Sequence, residues 1–235
     1  MRLNRFLTKA GVCSRRKAET YIQQGRVRVN DKIAQLTTAV NIGDRVTVDG
    51  KSVSIKGSGS YETYAFYKPR GVVCTLSSKE RPNLKDCLPL DGHFFPIGRL
   101  DKDSEGLLIV TSDGELANKL SHPRFEHEKE YLVWLNSDYD DLLISTFTDG
   151  ISLDGKTAKA DKVRRISQNK FAVILHEGRN RQIRRMVEFM GYQVQKLKRI
   201  RIGKLSLSLK SGEYKKLSKI EIANLMYKAP KKILV

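Results

Sequence analysis

Acidic side chains at alternate positions and a dense run of arginines are the two features of this 235-residue sequence that suggest chemistry. The acidic motif is Asp101-x-Asp103-x-Glu105, and the apolar run that follows it places its first carboxylate in a turn beside a buried strand. The second feature is the segment 177–186, where four arginines surround the start of a predicted helix. A carboxylate together with arginines is typical of a site that stabilises developing charge.

Calcium binding is the first alternative for the acidic motif. Oxygen ligands at alternate positions before a glycine imitate the first half of an EF-hand loop. The twelfth position of such a loop needs a bidentate acid, but here it is Ser112, and an apolar strand replaces the flanking helix. The sequence therefore disfavours calcium and leaves Asp101 available for chemistry.

The charge of the chain indicates a polyanionic partner. The formal net charge is +18 and the pI is about 9.9. Lysine and arginine that neutralise phosphates release counterions, so proteins this basic commonly bind nucleic acid. Residues 1–60 and 161–216 carry the excess of basic residues, whereas 61–160 hold more acidic than basic ones. We expect two basic nucleic-acid surfaces.

The cysteine content and the lack of long apolar runs indicate the compartment. Three cysteines at irregular spacing predict neither a disulfide framework nor a zinc site. The N-terminus lacks the apolar core of a signal peptide, and no apolar run approaches the ~20 residues that span a bilayer. We expect a cytoplasmic protein without a membrane partner.

The first fifty residues predict a compact helical unit. Apolar residues at helical spacing over 3–10 predict one helix, and Ser14 predicts the cap of a second helix over 15–24. Short alternating strands follow at 27–29 and 46–48. The unit is therefore predicted to be helix–helix–strand in order.

This unit resembles the S4 RNA-binding module in the segments 11–19, GVCSRRKAE, and 25–30, GRVRVN. A basic helical hairpin that only packs on the rest of the protein is the alternative, and the strand after the helices favours the S4 interpretation. The resemblance implies an RNA-binding domain over residues 1–55. Its expected RNA contacts are basic side chains, namely Arg5, Arg15, Arg16, Lys17, Arg26 and Arg28.

The Gly/Ser-rich stretch within 56–61 has the composition of a flexible linker, so we place the domain boundary there and expect one larger domain over 62–235. Within that domain the residue patterns predict strands at 64–67, 107–110, 131–135 and 171–175, and helices at 114–120 and 181–190. The predicted class is α+β, with a small S4-like domain and a larger domain whose mixed, mainly antiparallel sheet is flanked by helices.

The segment 98–108, GRLDKDSEGLL, resembles the signature of the bacterial ribosomal RNA pseudouridine synthases that carry an N-terminal S4 domain. Three further motifs of that family are matched in the same order, at 66–71, 127–131 and 177–186. The resemblance covers nearly the whole chain and is nearer to the members that act on large-subunit RNA. It implies a pseudouridine synthase fold for the larger domain, and an isomerase that converts a uridine to pseudouridine.

The resemblance also implies roles for three residues: Asp101 as the catalytic aspartate, Tyr131 as the ring that stacks on the flipped base, and Arg184 as the basic partner of Asp101, with Arg181 as runner-up. Breaking the C–N bond at the anomeric carbon develops positive charge, which suits a carboxylate as nucleophile or stabiliser. A flipped base needs a flat ring to receive it. From periodicity alone, Tyr131 would be a core residue of its strand.

Further basic residues of the matched motifs are expected to contact RNA: Lys68, Arg70, Arg99, Lys129, Arg179, Arg181 and Arg185. We expect a later basic run to extend this RNA track: Lys196, Lys198, Arg199, Arg201 and Lys204. Such contacts position RNA through its phosphates without reading its sequence. The expected partner is a structured stem-loop of ribosomal RNA, free or within a pre-ribosomal particle, and we expect the protein to be a monomer.

No cofactor and no metal are expected, because the isomerisation needs no redox agent and the sequence has neither a phosphate loop nor a dinucleotide motif. Two alternatives remain open beside a 23S target. The target uridine could belong to 16S or transfer RNA, or the protein could be a non-catalytic RNA-binding or ribosome-assembly factor. The sequence also leaves open whether Asp101 attacks the anomeric carbon or removes the 2′ proton of the ribose.

Overall fold

The protein divides into two compact units in a computed structural model that describes residues 1–55, 61–77, 79–90, 92, 94–121 and 127–227. The first unit contains residues 1–62 together with two short segments, 90–95 and 112–114, and the second contains the rest of the described chain. Residues 56–60 of the expected linker lie outside the described residues. The boundary at 56–61 therefore stays a prediction.

The first unit holds two short helices and four short strands. Their bounds are α1 Leu3–Lys9, α2 Arg15–Gln23, β1 Val27–Val29, β2 Lys32–Ile33, β3 Val46–Val48 and β4 Lys51–Val53. The strands form an antiparallel sheet in the order β2-β1-β3-β4. The predicted helices and the strands at 27–29 and 46–48 are confirmed.

The two helices form because each buries one apolar face and has a defined start. Leu3 and Leu7, one helical turn apart on α1, are fully buried. Ser14 caps α2 by accepting a hydrogen bond from the Lys17 backbone N–H. Ile22 of α2 joins the same apolar cluster as the two leucines, so this unit has its own core.

The remaining described elements are β5 Thr63–Lys68, α3 Leu84–Cys87, β6 Phe95–Ile97, β7 Glu105–Thr111, α4 Gly114–Ser121, β8 Lys129–Leu135, α5 Asp141–Asp149, β9 Ile151–Leu153, β10 Lys156–Ala158, β11 Lys162–Ser167, β12 Lys170–Leu175, α6 Gln182–Phe189, β13 Val194–Ile202, β14 Leu205–Ser206, β15 Tyr214–Lys216 and α7 Lys219–Leu225. Among the described helices, none has the length and apolar character needed to cross a membrane.

A nine-stranded sheet organises the second unit. Its main order is β11-β12-β8-β13-β7-β5-β15, with β14 paired to β13 and β6 to β7. Neighbours along the main order pair antiparallel except β13 and β7, which are parallel. The predicted α+β class with a mixed, mainly antiparallel sheet is confirmed, as are the four predicted strands and two predicted helices of this region.

Two apolar clusters bury this sheet. In the first, Leu143 and Phe147 of α5 and Met186 of α6 pack with Val133 of β8 and Phe171 of β12. In the second, residues of α4 and α7 pack against β5 and β7, for example Leu116, Leu225, Ala65 and Ile109. These clusters fix the strands that lead into the candidate site.

The parallel contact between β7 and β13 depends on Gly106. Gly106 lies opposite Arg199 in the strand register and has a φ of +110°. A Cβ atom placed on it would lie 2.2 Å from the carbonyl oxygen and 2.7 Å from the nitrogen of Arg199. No side chain fits this space, so glycine is required where the two backbones approach each other.

Replacing this glycine is predicted to destabilise the protein strongly. Gly106→Ala should lower the free energy of unfolding by about 3 kcal/mol or more, because it adds an overlap with backbone to an unfavourable φ. The matched control is Gly155→Ala, where φ is +71° and no atom lies within 4 Å of the added Cβ. The control should lose about 1–2 kcal/mol from backbone strain alone. Urea unfolding measures both, and equal losses would contradict the close-approach explanation.

Candidate active site

The loop that carries Asp101 joins β6 to β7 and is held by hydrogen bonds from a distant turn. The Gly71 backbone N–H donates to the Lys102 carbonyl oxygen at 2.7 Å, and the Leu100 N–H donates to the Cys74 sulfur at 3.4 Å. Both contacts flank Asp101 in sequence. The Gly71 contact gives the motif at 66–71 a structural role, because the turn at the end of that motif fixes the loop that carries Asp101.

Arg184 holds the same loop from the other direction. It is buried on α6, and its guanidinium donates to the carbonyl oxygens of Asp103 and Val194 at 3.0 and 3.2 Å and lies 3.5 Å from the Ser104 hydroxyl. Burial lowers its pKa. The expected pairing of Arg184 with the Asp101 carboxylate is not among the contacts of the described residues, since Nη1 and Nη2 donate to backbone carbonyls and Nε has no partner there. Its geometry is that of a loop-positioning residue.

Arg181, the runner-up, is the arginine that faces the carboxylate. One guanidinium nitrogen lies 4.0 Å from an Asp101 oxygen and 3.9 Å from an Asp103 oxygen. Arg181 precedes α6 in the left-handed conformation, with φ 48° and ψ 31°, which is unfavourable for a residue with a side chain. Strain of this kind is often retained at functional sites.

Tyr131 lies on β8 opposite Arg199 of β13 and is largely buried. It lines a cavity of about 430 Å³ together with Asp101 and Arg181. Other residues of this wall are Cys74, Gly98, Arg99, Leu100, Glu177, Arg179, Asn180, Ile183 and Leu197. The volume lies within the range of about 300–1,000 Å³ that small-molecule sites occupy.

Lys68 does not lie on an RNA-binding surface, which corrects its expected role. Its side chain is 0% exposed, and its ammonium donates to the carbonyl oxygens of Pro69 and Val72 at 2.8 and 2.7 Å. Burial lowers its pKa. The ammonium thus braces the turn whose Gly71 N–H holds the loop of Asp101.

Arg199 is also internal, which corrects its place in the expected RNA track. Only 2% of the residue is exposed, because β13 runs through the middle of the sheet. Its Nε donates to the Leu107 carbonyl oxygen at 2.7 Å, and Nη1 lies 3.5 Å from the Tyr131 hydroxyl. Lys129 is partly buried nearby and donates to the carbonyl oxygens of His127 and His176.

Other expected RNA contacts of the second unit already have protein partners. Arg179 donates to Glu177 and to the carbonyl oxygens of Lys156 and Thr157, and Arg185 makes a two-pronged contact with Asp154. Arg201, from the later basic run, contacts Glu128 and Glu130. Arg70 and Arg99 are exposed, and Arg99 also lines the cavity. Arg181 is exposed as well.

The basic side chains of the first unit remain at its surface. Five of the six expected contact residues are exposed, namely Arg5, Arg15, Arg16, Lys17 and Arg28. Arg26 is half-buried, contacts Asp49 through two nitrogens, and packs over the Tyr21 ring, with 4.0 Å between the guanidinium carbon and the ring centroid. The Asp49 carboxylate raises the pKa of Arg26. In this structure Arg26 is held by the protein.

Two residues of the site were missed by sequence reasoning. Cys74 was considered only as a disulfide or zinc candidate, although its sulfur accepts the Leu100 N–H and burial raises its pKa. Arg199 was grouped with surface charges, although it shares the period-2 spacing of the buried residue Leu197. That alternation was the signal available in the sequence. No cluster of three or more potential metal-ligating side chains occurs in the described parts of the chain.

An S4-like unit and an α+β unit whose cavity contains the Asp101 carboxylate are joined in one chain, as expected for an RNA-modifying enzyme. The family model described as RNA pseudouridylate synthase matches residues 62–189, and the S4 domain model matches residues 1–46. The chain belongs to the RNA pseudouridylate synthase family. It is therefore an intramolecular isomerase, as predicted, and the alternative of a non-catalytic protein is not supported.

Known relatives match most of this chain. Dual-specificity RNA pseudouridine synthase RluF of Escherichia coli is 41% identical over 96% of this chain and 78% of the relative. Ribosomal large subunit pseudouridine synthase B of Xylella fastidiosa is 39% identical over 94% of this chain and 50% of the relative. A solved structure described as pseudouridylate synthase superposes with a TM-score of 0.71 at 28% identity, covering 96% of this chain and 99% of that chain.

The two arginines near Asp101 are predicted to differ in their effect on stability. Arg184→Ala should lower the free energy of unfolding by about 3 kcal/mol, because a buried side chain is lost and two partly buried carbonyl groups lose their donor. Arg181→Ala should change it by less than about 0.5 kcal/mol, because its ion contacts are long and solvent-exposed. Urea denaturation distinguishes them, and the reverse order would refute the division of roles.

Lys129 is predicted to make stability rise with pH. Burial, followed by the nearby positive charge of Arg199, lowers its pKa from 10.5 to about 8. Between about pH 8 and 10.5 the unfolded chain therefore holds a proton that the folded protein has released, so folding becomes more favourable as pH increases. The unfolding free energy of the wild type relative to Lys129→Met should rise across this window. A flat difference would show that the ammonium is not destabilised by burial.

Proposed function

We propose that the protein converts a uridine of large-subunit (23S) ribosomal RNA to pseudouridine in the cavity that contains Asp101, Tyr131 and Arg181. The observation that carries this proposal is that the three side chains line one cavity of about 430 Å³. A carboxylate, a flat ring and a guanidinium around one cavity are the groups that we expect this reaction to need. Family membership supplies the reaction type.

Asp101 is proposed to act on the ribose of the flipped nucleotide. The glycosidic link leaves N1 of uracil, the base turns over, and the link re-forms at C5, which releases the C5 hydrogen. Positive charge develops at the anomeric carbon when the C–N bond breaks, and a carboxylate beside it stabilises that charge or attacks the carbon. Both routes need an ionised, oriented aspartate.

The two arginines are proposed to divide the support of Asp101. Arg181 is exposed, lies 4.0 Å from the Asp101 carboxylate and is proposed to orient it. Arg184 holds the loop backbone through the Asp103 carbonyl. Tyr131 is proposed to stack on the turned base, a contact worth about 1–3 kcal/mol for base–aromatic pairs.

The choice of RNA rests on the relatives and on the exposed charge. One relative is named for the large ribosomal subunit and the other for dual specificity, so a 23S target is proposed first and a second RNA substrate next. We propose three parts for the chain, namely an RNA-binding domain over 1–55, a linker over 56–61 and a catalytic domain over 62–235. Ribosomal RNA as substrate implies a cytoplasmic location.

Asp101→Asn is predicted to abolish the modification while RNA binding persists. Unmodified 23S, 16S and transfer RNA transcripts are incubated with the protein, and pseudouridine is mapped by carbodiimide labelling and primer-extension stops. The wild type should give a stop at a defined uridine of 23S RNA, and Asp101→Asn should give none.

Asp103→Asn is the matched control, because Asp103 lies at a similar distance from Arg181 but does not line the cavity. Its side chain is 54% exposed, against 32% for Asp101. The control should retain activity within a few-fold. A stop that persists with Asp101→Asn, or that Asp103→Asn alone removes, would overturn the assignment. A stop only in 16S or transfer RNA would change the substrate and keep the mechanism.

A further inference from the structure

One short loop supplies much of the wall of the cavity that contains Asp101. Residues 177–181, which join β12 to α6, all line this cavity. The last of them, Arg181, has a left-handed backbone, and its guanidinium lies 4.0 Å from the Asp101 carboxylate. A locally unfavourable conformation persists only where surrounding contacts hold it. Other residues of the loop must therefore set the position of Arg181.

Three side chains close this loop into a hydrogen-bonded ring, which consists of Glu177, Arg179 and Gln182. Gln182 is the first residue of α6 and is only 3% exposed. Its Oε1 accepts the Arg179 backbone N–H at 3.1 Å, and its Nε2 donates to Glu177 Oε1 at 2.6 Å. The other Glu177 oxygen accepts from Arg179 Nε at 3.2 Å. The ring thus joins the two ends of the loop.

The hairpin of β9 and β10 anchors this ring from outside. The Arg179 guanidinium donates to the carbonyl oxygens of Lys156 and Thr157 at 3.0 and 2.6 Å. Arg185, in the first turn of α6, donates to both carboxylate oxygens of Asp154 at 2.9 and 2.7 Å. The loop and the start of α6 are therefore tied to the same hairpin, and the ring has a fixed support.

We propose that Gln182 is a positioning residue for the isomerisation, because through the ring it holds Arg181 beside the Asp101 carboxylate. This rests on the proposed function, in which Arg181 orients Asp101. The Gln182 amide is buried and bonded within the ring, so it acts on the loop and not on the substrate. A misplacement of about 1 Å in a catalytic group can slow a reaction about 100-fold. Gln182 should therefore affect the rate of reaction more than RNA binding.

Exchanging the two polar side chains of the ring gives a direct test. Gln182→Glu keeps an acceptor for the Arg179 N–H, but it sets a carboxylate against Glu177 where a donor stood. Adding Glu177→Gln supplies the donor from the other side, so the double variant can form all three hydrogen bonds at the wild-type net charge. Gln168→Glu is the matched control, because Gln168 is exposed in the turn between β11 and β12, outside the cavity.

The rate of pseudouridine formation on the 23S transcript is measured in single turnover over a range of protein concentrations. Gln182→Glu should lower the maximal rate about 10–100-fold. The protein concentration that gives half the maximal rate should change less than about threefold, because binding is not the step affected. The exchanged double variant should return to within about threefold of the wild type, and Gln168→Glu should not differ from it.

The same substitution in an Arg181→Ala protein separates positioning from general support of the fold. There Gln182→Glu should lower the maximal rate by less than about threefold, because the side chain that the ring positions is absent. Thermal unfolding monitors the ring apart from the reaction. Gln182→Glu should lower the Tm by about 5 °C, and the exchanged double variant should recover it. If Gln182→Glu does not fold, Gln182→Met removes both hydrogen bonds without adding a charge.

Three results would overturn the proposal. They are a Gln182→Glu protein as fast as the wild type, an exchanged double variant as slow as Gln182→Glu, and an equal loss of rate with and without Arg181. A wild type that is inactive on every transcript would instead refute the proposed function. The Tm values would then still show whether the ring forms, so the two failures are distinguishable.

Discussion

The parallel contact between β7 and β13 is the constraint on which the site depends. Asp101 lies just before β7, and Tyr131 lies on β8, which pairs with the other edge of β13. Only the insertion of β13 between them brings the carboxylate and the ring to one cavity. That insertion requires backbone contact at Gly106, where a Cβ would overlap Arg199. Gly106 takes no part in the reaction, but the arrangement of the cavity depends on it.

Arginine serves two separate purposes in this protein. Arg184 and Arg199 are buried and donate to backbone carbonyls of the strands and loops around the site. Their charge is tolerated because these acceptors are fixed and the guanidinium presents several donors in one plane. Arg181 and Arg99 are exposed at the cavity and available to substrate. Net charge alone suggests RNA binding, but it does not separate these two groups.

The sequence predicted the fold where local patterns are strong. Alternation at 131–135 and 171–175 identified strands, and Ser14 identified the start of α2, because these signals depend on near neighbours. The aspartate, tyrosine and arginine motifs identified the family. The burial of Lys68 and Arg199 was not predicted, because basic residues are usually exposed and their acceptors come from segments distant in sequence. The exchange of roles between Arg181 and Arg184 depends on the left-handed turn at Arg181, which no local propensity indicates.

Release of the C5 hydrogen tests the central claim most directly, because the glycosidic link cannot move to C5 unless that hydrogen leaves. A 23S transcript made with uridine tritiated at C5 is incubated with the wild type and with Asp101→Asn, and tritium in the solvent is counted. The account predicts release by the wild type up to a fixed number of equivalents per RNA molecule, and none by Asp101→Asn. Equal release by both proteins, or none by a wild type that binds the transcript tightly, would contradict it.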